Sequence, residues 1–174
     1  MVEIGDVLFD EQAIAGKVGE LAARISANYA GKDPVVVCIL KAAVMFFADL
    51  TRRISCPFTI DFVQAASYGM SLTSARNVVV KKDLDTDIRG RQVILVDTII
   101  DTGETLAFLT KMLSERGSEG LKSVVLLDKV SRRTTEAPVD YRGFEIPDRF
   151  VVGYGMDCKE RFRNLPYIAA VKPE

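Results

Sequence analysis

Asp97 and Asp101 flank a threonine and two isoleucines in the run Asp97-Thr98-Ile99-Ile100-Asp101-Thr102-Gly103-Glu104-Thr105. A carboxylate at either position could bind ribose hydroxyls, bind Mg2+ or accept a proton. Thr102, Gly103 and Thr105 add hydroxyls and a flexible backbone where a helix begins, which suits a nest for phosphate. The plainer alternative is that Asp101 and Thr102 simply cap that helix. Neither a Walker A sequence nor a GxGxxG run is present, so neither of those nucleotide fingerprints explains the segment.

Composition narrows the chemistry. The 174 residues include no histidine, which excludes Ser-His and Cys-His nucleophilic machinery and imidazole metal ligands within one chain. A general base must then be a carboxylate, Lys, Tyr or thiolate, and a bound metal a hard, oxygen-ligated ion such as Mg2+. Cys38, Cys56 and Cys158 are odd in number and widely spaced, the pattern of reduced thiols rather than of a disulfide framework or a zinc site. With 23 basic and 24 acidic residues, nothing points to nucleic acid or to a membrane surface as partner. No apolar run approaches the roughly 18 residues of a membrane span, and the acidic N-terminus lacks the features of a secretory signal. The expectation is one cytoplasmic domain with a sizeable core.

The elements that must hold these residues follow from apolar spacing. Val35 to Leu40, Val93 to Val96 and Val124 to Leu127 are uninterrupted apolar runs, read as strands buried on both faces. Helical spacing marks 10–30, with Asp10 as cap, 42–52 and 104–116. The resulting βαβαβ pattern predicts a parallel sheet with helices on its faces. Its strands end at Lys41, at Asp97 and at Asp128-Lys129, so these charges should converge on one sheet edge. Residues 58–63 read as a strand with one polar face, 65–76 as a loop or flap, and 77–90 as a short hairpin or a strand with a turn.

The run VILVDTIIDTGETL, residues 93–106, resembles the phosphoribosyl-pyrophosphate (PRPP) motif of the type I phosphoribosyltransferases. LKAAVMFFADL at 40–50, Ser67-Tyr68, LLDKV at 126–130 and the tail GFEIPDRFVVGYGMDCKERFRNLPYI at 143–168 extend the likeness over most of the chain. The tail is the most specific part and is similar to the hypoxanthine-guanine members. The resemblance implies an α/β fold of the type I kind, a central and mostly parallel sheet flanked by helices. It implies a single domain over 1–174, with a core of about 30–145 and a small hood from the N-terminal segment and about 146–174. The implied reaction moves phosphoribose from PRPP to N9 of a 6-oxopurine with Mg2+ and releases pyrophosphate.

Matched positions then carry implied roles. Asp101 takes the general-base position. Asp97, Thr98, Thr102, Gly103, Glu104, Thr105, Lys41, Ala42 and Arg163 fall to PRPP and its phosphates. Lys129, Phe150, Val151 and Asp157 fall to the purine, with Lys129 on O6 and Phe150 stacked on the ring. Ser67 and Tyr68 belong to the flap, and Asp97 and Asp157 to the metal. A homodimer or homotetramer is implied, with PRPP and a 6-oxopurine base as small-molecule partners. Singly, Phe150 reads better as a core aromatic and Arg163 as part of a surface charge run, and Lys129 could be a solvated lysine at a strand end.

Three positions depart from the family pattern. The usual Glu-Asp pair is Asp97-Thr98 here, which exchanges one carboxylate for a hydroxyl. The usual Leu-Lys-Gly-Gly loop is Leu40-Lys41-Ala42-Ala43, in a family that holds the peptide after the lysine cis. Glu104 stands inside the phosphate turn, where its side chain must point outward. Alternative readings are a relative preferring xanthine or another 6-oxopurine, and a non-catalytic PRPP or nucleotide sensor on the same fold.

Overall fold

The computed structural model describes residues 3–68 and 77–172. In chain order the elements are β1 (Ile4–Phe9), α1 (Glu11–Asn28), β2 (Val35–Leu40), α2 (Val44–Thr51), β3 (Thr59–Tyr68), β4 (Asn77–Lys82), β5 (Gln92–Ile100), α3 (Glu104–Glu115), β6 (Gly120–Asp128), β7 (Tyr141–Glu145), β8 (Val151–Val152) and β9 (Ile168–Val171). A six-stranded sheet has the order β4-β3-β2-β5-β6-β7, parallel except for β4 at the edge. A second, antiparallel sheet, β1-β9-β8, is built from the two ends of the chain.

The apolar runs behave as a pleat requires, successive side chains entering opposite layers. Val36, Cys38, Ile94, Val96 and Val124 pack with α1 and α2, while Val35, Val37, Val93, Leu95 and Val125 pack with α3. Ile14, Val18, Leu21, Ala22 and Ile25 form the buried stripe of α1, and Asp10 caps it by accepting the N–H of Ala13 at 2.8 Å.

Several expected boundaries move. β5 runs on to Ile100, so Asp97 and Thr98 lie inside the strand and not at its end. The parallel ladder to β6 explains this, since it pairs Asp97 with Val125, Ile99 with Leu127 and Ile100 with Asp128 through backbone groups that polar residues also carry. The helix expected from Ala42 starts at Val44, because residues 41–43 form a turn. Ser67 and Tyr68, expected in a loop, pair their backbones with Val78 and Asn77 at the end of β3. The rest of the flap reading, at 69–76, lies outside the described residues, as do the side chains of Ser67 and Tyr68. Among the described residues no helix is long and apolar enough to cross a membrane.

The carboxyl end of β6 is clamped by charge. Asp128 is fully buried and receives Nε and Nη2 of Arg133 at 3.2 and 2.9 Å and Nε of Arg142 at 2.7 Å. Its backbone carbonyl accepts the N–H of Ile146 at 2.9 Å. One carboxylate thus ties together the strand end, the turn after it and edge strand β7, and it fixes the backbone from which Lys129 projects. Arg133→Ala leaves that buried charge with only Arg142. Urea unfolding should show a loss of about 2–3 kcal/mol, below the full cost of an unpaired buried ion because one partner stays. Arg133→Ala combined with Asp128→Asn should recover part of it.

Candidate functional site

The site collects at the carboxyl edge of the parallel strands, where four segments are joined by side-chain bonds. Asp101 lies between two cations, with Oδ2 3.4 Å from Lys129 Nζ and Oδ1 3.0 Å from Arg132 Nε. Asp148 completes the cluster, 3.9 Å from Lys129 Nζ and 3.5 Å from Arg132 Nε. Lys129 is buried while Asp101 is 43% exposed, so the carboxylate faces the opening and the ammonium sits beneath it. Asp101 is therefore not the helix cap.

The N-cap position is Gly103, at φ 91°. A Cβ on Gly103 would stand 2.5 Å from the carbonyl oxygen of Thr135, so both backbone conformation and space demand glycine. The carbonyl of Thr102 accepts the N–H groups of Thr134 and Thr135 at 3.1 and 3.0 Å. Residues 134–135 thus brace the turn from behind. Thr102 Oγ1 accepts the N–H of Glu104 at 3.5 Å, and the N–H groups that follow at the start of α3 lack acceptors within the helix and suit an anion.

The turn after β2 comes next. The Leu40–Lys41 peptide is cis, one bond earlier than the resemblance implied. Lys41 Nζ lies 3.3 Å from both carboxylate oxygens of Glu160. Thr98 is fully buried, and its hydroxyl donates to the carbonyl of Ala42 at 3.0 Å.

The tail supplies the remainder. Phe150 is 57% exposed, which removes it from the core, and Val151 is buried in β8. Arg163 donates from Nη1 to Gly155 O at 2.8 Å, and its Nη2 meets Asp157 at 2.8 Å and Glu160 at 3.2 Å. Its Nε is buried without a partner among the described residues. Asp157 also accepts the N–H of Glu160 at 2.8 Å.

The structure thus brings Asp101 to Lys129, Thr98 to Ala42 and Asp157 to Arg163. Among the described residues no group of three or more Asp, Glu or Cys side chains is placed to hold a metal ion. Arg132, Asp148 and Glu160 went unnoticed in the sequence. Arg132 and Asp148 sit in ordinary polar runs, and Glu160 stood in what read as a solvated charge run. The only local hint was their nearness in sequence to Lys129, Phe150 and Arg163.

Residues 5–159 match the family described as the phosphoribosyl transferase domain. The chain is 43% identical over 171 residues to the hypoxanthine-guanine phosphoribosyltransferase of Bacillus subtilis (strain 168), covering 98% of this chain and 95% of that protein. It is 44% identical over 168 residues to the hypoxanthine phosphoribosyltransferase of Escherichia coli (strain K12), with 95% and 94% covered. The crystal structure of a hypoxanthine phosphoribosyltransferase from Staphylococcus aureus superposes with a TM-score of 0.94 at 41% identity, covering 98% of this chain and 92% of that one.

Asp97 has no basic partner among the described residues, unlike Asp101, Asp148, Asp157 and Glu160. Burial pushes it up to about 7, against the pull of the backbone N–H groups of Thr98 and Ile99. An acid whose proton affinity is higher folded than unfolded stabilises the fold at low pH, and that contribution is lost as pH rises from about 4 to about 7. Asp97→Asn removes the penalty. In metal-free buffer at pH 8 its Tm should exceed that of the wild type by about 2–4 °C per kcal/mol relieved, and the gap should close at pH 4. A lower Tm at pH 8 would show that the ionised carboxylate is already compensated.

Proposed function

The chain belongs to the phosphoribosyl transferase family, and we propose that it transfers phosphoribose from PRPP to N9 of hypoxanthine and guanine. The products are IMP or GMP and pyrophosphate. The observation that carries this reading is the pairing of Asp101 with buried Lys129, beside a turn built for phosphate. As N9 bonds to C1′ and the bond from C1′ to pyrophosphate breaks, the purine must lose a proton. Asp101 is the carboxylate exposed to receive it. Lys129 donates to the O6 of the base. An ammonium only donates, so it suits a 6-oxo group and not the 6-amino group of adenine.

The N–H groups and hydroxyls of Thr102, Gly103, Glu104 and Thr105 hold the 5′-phosphate, with the carboxylate of Glu104 turned away from it. The exposed ring of Phe150 stacks on the purine, and the Val151 backbone and Asp157 read its edge. Lys41 and Ala42 take the pyrophosphate. Arg163 adds its charge there indirectly, since its guanidinium is held by Gly155, Asp157 and Glu160. Ser67 and Tyr68 close over the reacting centre. Asp97, a carboxylate without a basic partner among the described residues, offers hard oxygens that would suit Mg2+, whereas Asp157 shares its charge with Arg163. Mg2+ supplies charge neutralisation for the departing pyrophosphate.

The two sheets support a single domain with a core and a terminal hood. We read the protein as cytoplasmic, in keeping with its free cysteines, and as a homodimer or homotetramer.

With PRPP and Mg2+, hypoxanthine and guanine should be converted to nucleotides and adenine should not. Absence of turnover with hypoxanthine, guanine and xanthine would sink the enzyme reading. Xanthine used best would move it to the xanthine-preferring relatives, and efficient adenine use would overturn the role of Lys129. Asp101→Asn should lower kcat by about 100-fold or more and leave PRPP binding nearly intact. Equal losses in both would make Asp101 a ligand-positioning group.

A further inference from the structure

We propose that Thr98 is a positioning residue, whose buried hydroxyl orients the Lys41–Ala42 turn and makes no contact with ribose. The inference rests on the phosphoribosyl-transfer reading of the site and concerns how this chain manages without the acidic residue usual at that position.

The backbone creates the need. β2 and β5 pair through Val35 to Cys38 and Val93 to Val96, and their ladder ends there. Beyond that point β2 pairs only with β3, up to Leu40 with Gln64, and β5 only with β6. The chain after Leu40 therefore enters its turn without a strand partner on the β5 side. Thr98 fills that place, its Oγ1 donating to the carbonyl of Ala42 at 3.0 Å across 56 residues of sequence.

The other side of the same carbonyl is closed by the tail. A Cβ on Gly155 would stand 2.0 Å from Ala42 O, so the glycine backbone lies directly against it. Gly155 is held there by Arg163, whose carbonyl accepts its N–H at 2.9 Å and whose Nη1 donates to its oxygen at 2.8 Å. Enclosed between strand and tail, the Ala42 carbonyl needs a donor, and Thr98 is the one it has among the described residues. The peptide plane from Ala42 is thereby set from two directions, and Lys41 is tied to the same tail through Glu160.

A carboxylate at position 98 could not make this bond once ionised, because an ionised acid only accepts. This separates the proposal from the view of Thr98 as a weakened ribose or metal ligand. On the ligand view, Thr98→Asp restores affinity for PRPP. On the positioning view, it sets two acceptors face to face in a closed space and displaces the turn.

Steady-state kinetics on the full chain with Mg2+, varying PRPP and hypoxanthine separately, tests this alongside thermal unfolding. Thr98→Val keeps the shape and removes the donor. It should raise the KM for PRPP by about five- to tenfold, the scale of one buried neutral hydrogen bond, with the KM for hypoxanthine unchanged. Thr98→Ser should restore wild-type values, and Thr98→Asp should bind PRPP no better than Thr98→Val. Calorimetric titration with Mg2+-pyrophosphate should show the same order without turnover. A PRPP KM unchanged in Thr98→Val, or improved in Thr98→Asp, would overturn the proposal. So would equal rises in both KM values with a fallen Tm, since that pattern belongs to general structural support. A wild-type chain inactive with every 6-oxopurine would instead remove the underlying enzymatic reading, a result distinct from all of these.

Discussion

Cys38 and Val96 are the last residues through which β2 and β5 share a ladder, and the site exists because the two backbones part there. From β2 the sheet grows outward through β3, and from β5 it grows the other way through β6, so strand order reverses between them. In open α/β sheets this reversal leaves a crevice at the carboxyl ends, since the connections leave on either side. Each parting strand keeps its outer neighbour, so the opening leaves only the facing backbone groups to be satisfied. The Thr98 hydroxyl, the start of α3 and the turn at 41–43 occupy the ground so released.

Charge in the crevice is arranged in two grades. Asp128 is fully buried between Arg133 and Arg142, and its geometry is structural, because either partner lost leaves an ion out of water. The pairs of Asp101 with Arg132 and of Glu160 with Lys41 are half exposed, the class of ion pair whose net worth is small. A polyanionic substrate can therefore exchange with these partners at little cost, while the backbone beneath them stays fixed. Asp97 belongs to neither grade. It is crowded, lacks a basic partner among the described residues and holds its proton toward neutral pH, as suits a group meant to meet a cation or hydroxyls.

The antiparallel sheet made by the two ends of the chain is what delivers the tail to this edge. β8 pairs with β9, and β9 with β1, so the strand that holds Phe150 and Val151 is itself anchored by one from the start of the chain. From there the chain turns tightly, with Tyr154, Lys159, Glu160 and Phe162 at positive φ and Gly153 and Gly155 at φ 95°. That density of left-handed backbone compresses 153–163 into a knot around Arg163, whose guanidinium holds the segment together.

What could be read from the sequence was whatever depends on neighbours along the chain. Strand cores, the α1 stripe with its Asp10 cap, and a glycine turn opening a helix follow from spacing and residue type within a few positions. So did the family resemblance, carried by contiguous runs. The limits of β5 could not be read, because its continuation through Asp97 and Thr98 depends on backbone bonds to β6, to which polar side chains are no obstacle. Nor could the charge cluster around Asp101, since Arg132 and Asp148 are ordinary surface residue types until the fold brings Arg132 to within 3.0 Å of Asp101 and Asp148 to within 3.5 Å of Arg132. Thr98 marks the boundary most clearly. Its identity was legible as a departure from the family pattern, but the acceptor of its hydroxyl lies 56 residues away. Only the parting of two strands and the approach of a third segment decided what that hydroxyl would hold.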